Sequence, residues 1–175
     1  RYNPNSYGTV HDLFPLTWPS SYAPHYRRFY RKELEAASLL KGVVVISDYV
    51  KGELSELYPN LKLIRIHHWT GNEFRPRDRA LARKKLGLPL DKKVVLSIGT
   101  EEPRKNVDAL ISAFKSLGEG FMLVRIGSSR KFRSLPGAAL LSDVPFDVLP
   151  LYYNAADTLV APSFDEGFDA PVMEA

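Results

Sequence analysis

The sequence predicts an α/β fold of parallel sheets covered on both faces. Two observations predict it. Short β-branched and aliphatic runs such as "GVVVI" at 42–46 alternate with longer stretches whose apolar residues recur at helical spacing. Strands that alternate with helices in this way pair in parallel, with the helices packed over the sheet.

Taken in order, "YGTVH" (7–11) reads as the end of a strand. Residues 25–40 place Tyr26, Phe29, Tyr30, Leu34, Ala37 and Leu40 near helical spacing. A buried strand follows at 42–47, and Ser47 or Asp48 caps a helix over 49–58. "LKLIRIH" (61–67) is the next strand. The polar, proline-bearing stretch "HWTGNEFRPRD" (68–78) reads as a domain boundary, dividing the chain into 1–70 and 71–175. Beyond it the pattern predicts a helix over 78–86, a strand over 93–99, a helix from Asn106 to Leu117 and a strand over 121–127. A helix over 146–155, a strand over 158–162 and a last helix opening at Pro171 complete the series. No internal repeat or low-complexity tract interrupts it.

Composition narrows the function classes. A hydrophobic share of 45% and a charged share of 25% are those of an ordinary globular domain. The apolar runs fall well short of the ~18 residues a membrane span needs, and no charged segment followed by an apolar run opens the chain. Cysteine is absent, which removes disulfides, thiolate metal sites and cysteine nucleophiles and fits a reducing compartment. The net charge of +4 suits an anionic small ligand or a loose membrane-surface contact, and is too small to argue for nucleic acid. Arg1 and Ala175, the latter just after a proline that would open a helix, read as the ends of a fragment of a longer protein.

Parallel α/β sheets bind ligands at the carboxyl ends of their strands. Four polar clusters fall there: "HD" (11–12), "GTEEPRKN" (99–106), "GSSRK" (127–131) and "PSFDEGF" (162–168). Arg104 and Lys105 follow a glycine-ended strand, at the lip of a helix capped by Asn106. Helix amides and the dipole favour an anion there, and a phosphate or diphosphate is the natural guest. The competing reading is two solvated cations beside Glu101 and Glu102. In "PSFDEGFDAPVMEA" (162–175), Pro171 fits the first position of a helix. Glu174 then lies in the helix and Glu166 in the loop before it, so the two acids reach different parts of one elongated ligand. Carboxylates accept well from sugar hydroxyls, and Gly167 lets backbone amides approach closely.

These stretches carry a resemblance. "VHDLFPLTWP", "VISDYVKGEL", "LSIGTEEPRKNVDALISAF" and "LYYNAADTLVAPSFDEGFDAPVMEA" resemble consecutive landmarks of glycosyltransferase family 4, the group 1 retaining enzymes of the GT-B fold. The resemblance implies two Rossmann-like domains, both incomplete here. Residues 1–70 would be the C-terminal part of the first, acceptor-side domain, and 71–175 the N-terminal part of the second, nucleotide-sugar-binding domain. It implies metal-independent transfer of a sugar from a nucleoside-diphosphate sugar, used as substrate and with no cofactor, to a glycan or lipid-linked acceptor. Lys105 matches the lysine that binds the donor diphosphate, with Arg104 its helper. Glu166 matches the glutamate on the transferred sugar and Glu174 the one on the nucleotide ribose. Gly167, Phe168 and Asp169 fall in the sugar-facing loop. His11 corresponds to a histidine near the reacting sugar, with Asp12 bracing its turn. The amides of 171–174 would add to the positive potential at the diphosphate. A cytoplasmic place, at the inner face of the membrane, follows from the same likeness.

The chain also departs from the family pattern. Asp169 stands where glycine is frequent, Thr100 where an arginine often follows the strand-ending glycine, and His67–His68 where an "NG" turn is usual. The segment 128–145 is short. A non-catalytic nucleotide-sugar- or polysaccharide-binding relative is therefore the alternative function. Of the remaining features, Tyr22, Tyr26, Phe29 and Tyr30 read as core plus interdomain surface. His67–His68 lacks a third metal ligand, and Ser128–Lys131 is either a solvated loop or a nucleotide contact.

Overall fold

The structure is a computed structural model that describes residues 3–175. The chain divides into two compact units. The first runs to Trp69 and takes in Glu166–Phe168; the second holds Thr70–Asp165 and Asp169–Ala175.

The first unit is a three-stranded parallel sheet, β1 (Tyr7–Val10), β2 (Gly42–Val45) and β3 (Leu63–Arg65), in the order β1-β2-β3. Val10 pairs with Val45, and Val45 with Arg65. Helices α1 (Phe14–Thr17), α2 (Pro24–Ala36) and α3 (Asp48–Leu57) connect the strands. Their apolar faces close a core of Leu13, Leu34, Val43, Val45, Val50 and Leu54. Ser47 caps α3 as expected, its Oγ accepting from the Val50 amide at 3.1 Å. The helix expected over 25–40 stops at Ala36 and tightens into a 3-10 turn, Ala37–Leu39. Ser38 Oγ donates to the Glu35 carbonyl at 2.9 Å there, a local bond that competes with helix continuation. The single turn α1 is too short to show a period, and the sequence reading holds no element there.

The second unit contains β4 (Lys93–Ile98), β5 (Phe121–Ile126), β6 (Ala138–Leu141) and β7 (Thr158–Leu159), all parallel, in the order β6-β5-β4-β7. Its helices are α4 (Arg79–Leu86), α5 (Val107–Lys115), α6 (Leu149–Ala155) and α7 (Ala170–Glu174). One face of the sheet buries Val95 and Leu123 with Leu110 and Phe114 of α5. The other buries Val94, Leu96 and Val124 with Leu149, Tyr152 and Tyr153 of α6. Asp78 caps α4 through the Leu81 amide (2.7 Å), and Gly87 ends it in the left-handed conformation. The sequence reading leaves 128–145 without an element, and β6 forms there; "AALL" carries no β-branched residue to mark a strand. The helix expected from 146 starts at Leu149, and the strand expected over 158–162 pairs only at Thr158–Leu159.

A buried ion pair ties these elements together. The Arg83 side chain donates to the carbonyls of Ala155 (2.8 Å) and Lys92 (3.0 Å) and to Asp157 Oδ2 (2.5 Å). Asp157 Oδ2 also accepts from the Val94 amide at 2.7 Å. Burial works to raise the Asp157 pKa, but the Val94 amide and Arg83 outweigh it and hold the carboxyl below its ordinary range. Among the described residues, no helix is long and apolar enough to cross a membrane.

Candidate functional site

The carboxyl ends of β4 and β5 meet through two glycines with positive φ, Gly99 (141°) and Gly127 (126°). A Cβ on Gly127 would lie 2.0 Å from the Gly99 carbonyl oxygen, so a side chain is excluded where the two loops diverge. From Gly99 the chain reaches a 3-10 turn, Pro103–Lys105. Three hydrogen bonds zip this turn to the loop after β7. The Phe164 amide donates to the Arg104 carbonyl (2.8 Å), Arg104 Nη1 to the Asp165 carbonyl (3.1 Å) and Asn106 Nδ2 to the Pro162 carbonyl (3.1 Å).

The expectation of two solvated cations is overturned for Arg104. It is 8% exposed, and its Nε pairs with Glu102 at 3.2 Å. Lys105 is half-buried, and its Cε would lie 3.8 Å from a Cβ on Gly99, so its stem runs back over the strand end. Asn106 stands at the cap position of α5 but does not cap it with its side chain. Its backbone is left-handed (φ 49°), which asparagine tolerates, and its amide turns to Pro162 instead.

Beneath the turn lies a residue the sequence reading passed over. Arg125, the penultimate residue of β5, is 2% exposed. Its Nη1 donates to Ser97 Oγ and its Nη2 to the Thr100 carbonyl, both at 2.8 Å, and the guanidinium lies 5.5 Å from the centre of the Phe132 ring. Burial pushes its pKa below the ordinary range, and Glu101 opposes that shift. The available signal was an arginine inside the otherwise apolar run "FMLVRIG". Glu101 Oε2 accepts from the Arg130 amide (2.8 Å), which lowers the Glu101 pKa, and Lys131 pairs with Asp108 at 2.7 Å. The Ser128–Lys131 loop is thus joined to the 99–108 segment.

At the end of the chain, α7 opens at Ala170, one residue before the expected start, with Pro171 in its first turn. Asp169 caps it by position with φ 59°, a left-handed conformation that aspartate reaches more readily than most non-glycine residues. This accounts for aspartate at a position where the family often has glycine. The contribution expected from the amides of 171–174 is smaller than supposed. Proline 171 has no amide hydrogen, and the Val172 amide already donates to the Asp169 carbonyl at 3.1 Å. Glu174 Oε2 accepts from the Tyr153 hydroxyl, and burial first, then Glu174, pushes that phenol above its ordinary range. Glu174 lines a cavity of about 540 Å³ with Arg75, Arg77, Tyr153, Asn154 and Asp157; Arg104 and Lys105 do not line it.

In the first unit, His11 follows β1 directly. Asp12 Oδ1 accepts from the Phe14 amide (3.1 Å), and the Asp12 carbonyl accepts from the Tyr30 hydroxyl (2.6 Å). Glu166–Phe168 belongs to this unit. A Cβ on Gly167 would lie 2.2 Å from the His11 carbonyl oxygen, and the Gly167 carbonyl accepts from Ser47 Oγ at 2.6 Å. His68 stacks on His11 (ring centres 5.7 Å apart) and meets the Phe168 edge at 5.2 Å. The structure thus brings His11, Gly167 and Phe168 together. The second histidine of the His67–His68 pair packs against rings, and among the described residues no three His, Cys, Asp or Glu side chains gather as a metal site. Tyr30 is half-buried, whereas Tyr26 and Phe29 are exposed in this chain.

Two parallel α/β units with polar loops at their strand ends define the class: the fold is that of the GT-B glycosyltransferases. Sucrose-phosphate synthase from Thermosynechococcus elongatus matches 99% of this chain over 48% of its own, with a TM-score of 0.81 at 21% identity. Anabaena HepE, solved in complex with UDP and glucose, matches 98% over 50% of its own, with a TM-score of 0.78 at 16% identity. Residues 78–175 match the family model "Glycosyl transferases group 1", and the chain belongs to that family. The O-antigen chain mannosyltransferase B of Escherichia coli is 29% identical over 95% of this chain and 49% of its own length. The chain spans about half the length, or less, of the curated relatives it matches.

Proposed function

We propose that the protein is a metal-independent retaining hexosyltransferase of polysaccharide biosynthesis. It moves a sugar from a nucleoside-diphosphate sugar to a glycan or lipid-linked acceptor. In this reading residues 1–70 are the later part of the acceptor-side domain and 71–175 the earlier part of the donor-binding domain. The bond from the anomeric carbon to the leaving phosphate oxygen breaks, the acceptor hydroxyl oxygen takes its place with configuration retained, and the hydroxyl proton passes to the departing diphosphate. Negative charge develops on the departing diphosphate, and pre-placed cations stabilise it. Lys105 takes that charge. Arg104 helps beside it and, through the Asp165 carbonyl, holds the segment that leads to Glu166. Glu166 holds the hydroxyls of the transferred sugar, Glu174 the ribose, and Gly167, Phe168 and Asp169 the sugar-facing backbone. His11 positions the reacting sugar.

The observation that carries this reading is the hydrogen-bonded zip between the Arg104–Asn106 turn and the Pro162–Asp165 loop, which seats a lysine-bearing turn beside the segment entering Glu166. Its test is thermal stabilisation of the full-length protein by GDP-mannose, UDP-glucose and UDP-N-acetylglucosamine, since only a ligand that binds the native state raises the melting temperature. One donor should stabilise and, with an acceptor, release nucleoside diphosphate. Stabilisation by none of the donors rejects the reading. Stabilisation without release, whatever the acceptor, identifies a binding relative that no longer turns over.

A further inference from the structure

We infer that Arg125 is a positioning residue for the anion site at the end of β4, which it serves from beneath the turn. The inference rests on the proposal that this site takes the donor diphosphate. The guanidinium is all but fully buried, yet both of its hydrogen bonds go to neutral oxygens, Ser97 Oγ and the Thr100 carbonyl. Its Nε has no acceptor among the described residues. Glu101, the acid that acts on it electrostatically, is itself held by the Arg130 amide. A buried cation without a hydrogen-bonded carboxylate is costly, and a leucine or methionine would fill a strand interior without that cost.

Its surroundings explain its presence. A Cβ on Gly99 would lie 3.6 Å from Arg125 Nη2 and 3.8 Å from Lys105 Cε, so both cationic side chains lie against the glycine that ends β4. The buried guanidinium places fixed positive charge beneath the strand end, where an arriving anion would meet it. The bond from Nη2 to the Thr100 carbonyl also occupies that oxygen and fixes the first residue after Gly99 in the segment that leads to the Pro103–Lys105 turn. Arg125 therefore adds positive potential from below and sets the shape of the turn above. It need not touch the ligand.

The test is calorimetric titration of the full-length protein with UDP, GDP and inorganic pyrophosphate, and with uridine and guanosine as probes lacking phosphate. Arg125→Met keeps the bulk and removes the charge; Arg125→Lys keeps the charge. Affinity for the diphosphate-bearing probes should fall at least about tenfold in Arg125→Met and return to within about threefold in Arg125→Lys, with nucleoside affinity unchanged in both. Should Arg125→Met not fold, Arg125→Gln against Arg125→Lys makes the same comparison. Wild-type diphosphate affinity in a folded, uncharged variant overturns the inference and leaves the proposed function standing. An equal fall for nucleosides and diphosphates, or no recovery in Arg125→Lys, reduces Arg125 to a structural prop and overturns it too. A wild-type protein that binds no nucleoside diphosphate rejects the proposed function and this inference together.

Discussion

Asp157 offers the sharpest test of how the second unit is held. Its carboxylate joins the start of β7 to α4 through Arg83 and to β4 through the Val94 amide. Asp157→Ala strands a guanidinium that is 6% exposed and the buried Val94 amide at the start of β4. Removing one partner of a buried pair costs about 3–5 kcal/mol. The lower end applies here, because Arg83 keeps its bonds to Ala155 and Lys92 and the Asp157 side chain is 16% exposed. The further pairs with Arg79 and Lys93 involve exposed partners and add at most about 1 kcal/mol. A loss of about 3 kcal/mol in a unit of this size lowers the melting temperature by roughly 12 °C. The assay is thermal unfolding followed by circular dichroism, with Asp157→Asn as the charge-only comparison. Because the native carboxyl titrates below its ordinary range, the stability it provides is complete above the unfolded pKa of about 3.9 and disappears as pH falls through the native value. The gap between wild type and Asp157→Asn should therefore be full at pH 7 and close below about pH 4. A drop of under about 3 °C in Asp157→Ala, or a gap indifferent to acid, would refute the account of this pair.

Three more outcomes follow from the site. Lys105→Ala in the full-length protein should lower turnover by about a hundredfold or more with the melting temperature little changed; wild-type rates remove Lys105 from the mechanism. Glu174→Ala should weaken binding of free nucleoside diphosphate, and Tyr153→Phe, which removes the donor to that carboxylate, should do so less; equal affinity in both variants and wild type counts against a ribose contact at Glu174. Gly167→Ala places a methyl group against the His11 carbonyl, which is backbone and cannot swing aside as a side chain would. It should cost about 1–3 kcal/mol and open the 162–169 loop to limited proteolysis, and unchanged melting and cleavage would contradict the close approach.

What the sequence determined by itself is the alternation of strands and helices and the landmarks of the family, because hydrophobic period, capping residues and chain punctuation act over a few neighbouring positions. Ser47 is an example: it reads as a helix cap and is one. Tertiary structure alone decided the fate of the charged side chains. Arg104 reads as an anion contact and Asn106 as a helix cap, yet partners some 60 positions away in the chain claim them both. Arg125 looks like one polar residue in an apolar strand until β4 and its loop are laid beside it. Gly167 reads as room for backbone amides to approach a ligand, and the close approach the structure shows is to the His11 carbonyl. Such pairings depend on which strands become neighbours, and the energy of a buried charge is set by its surroundings in space, which no local pattern of residues records.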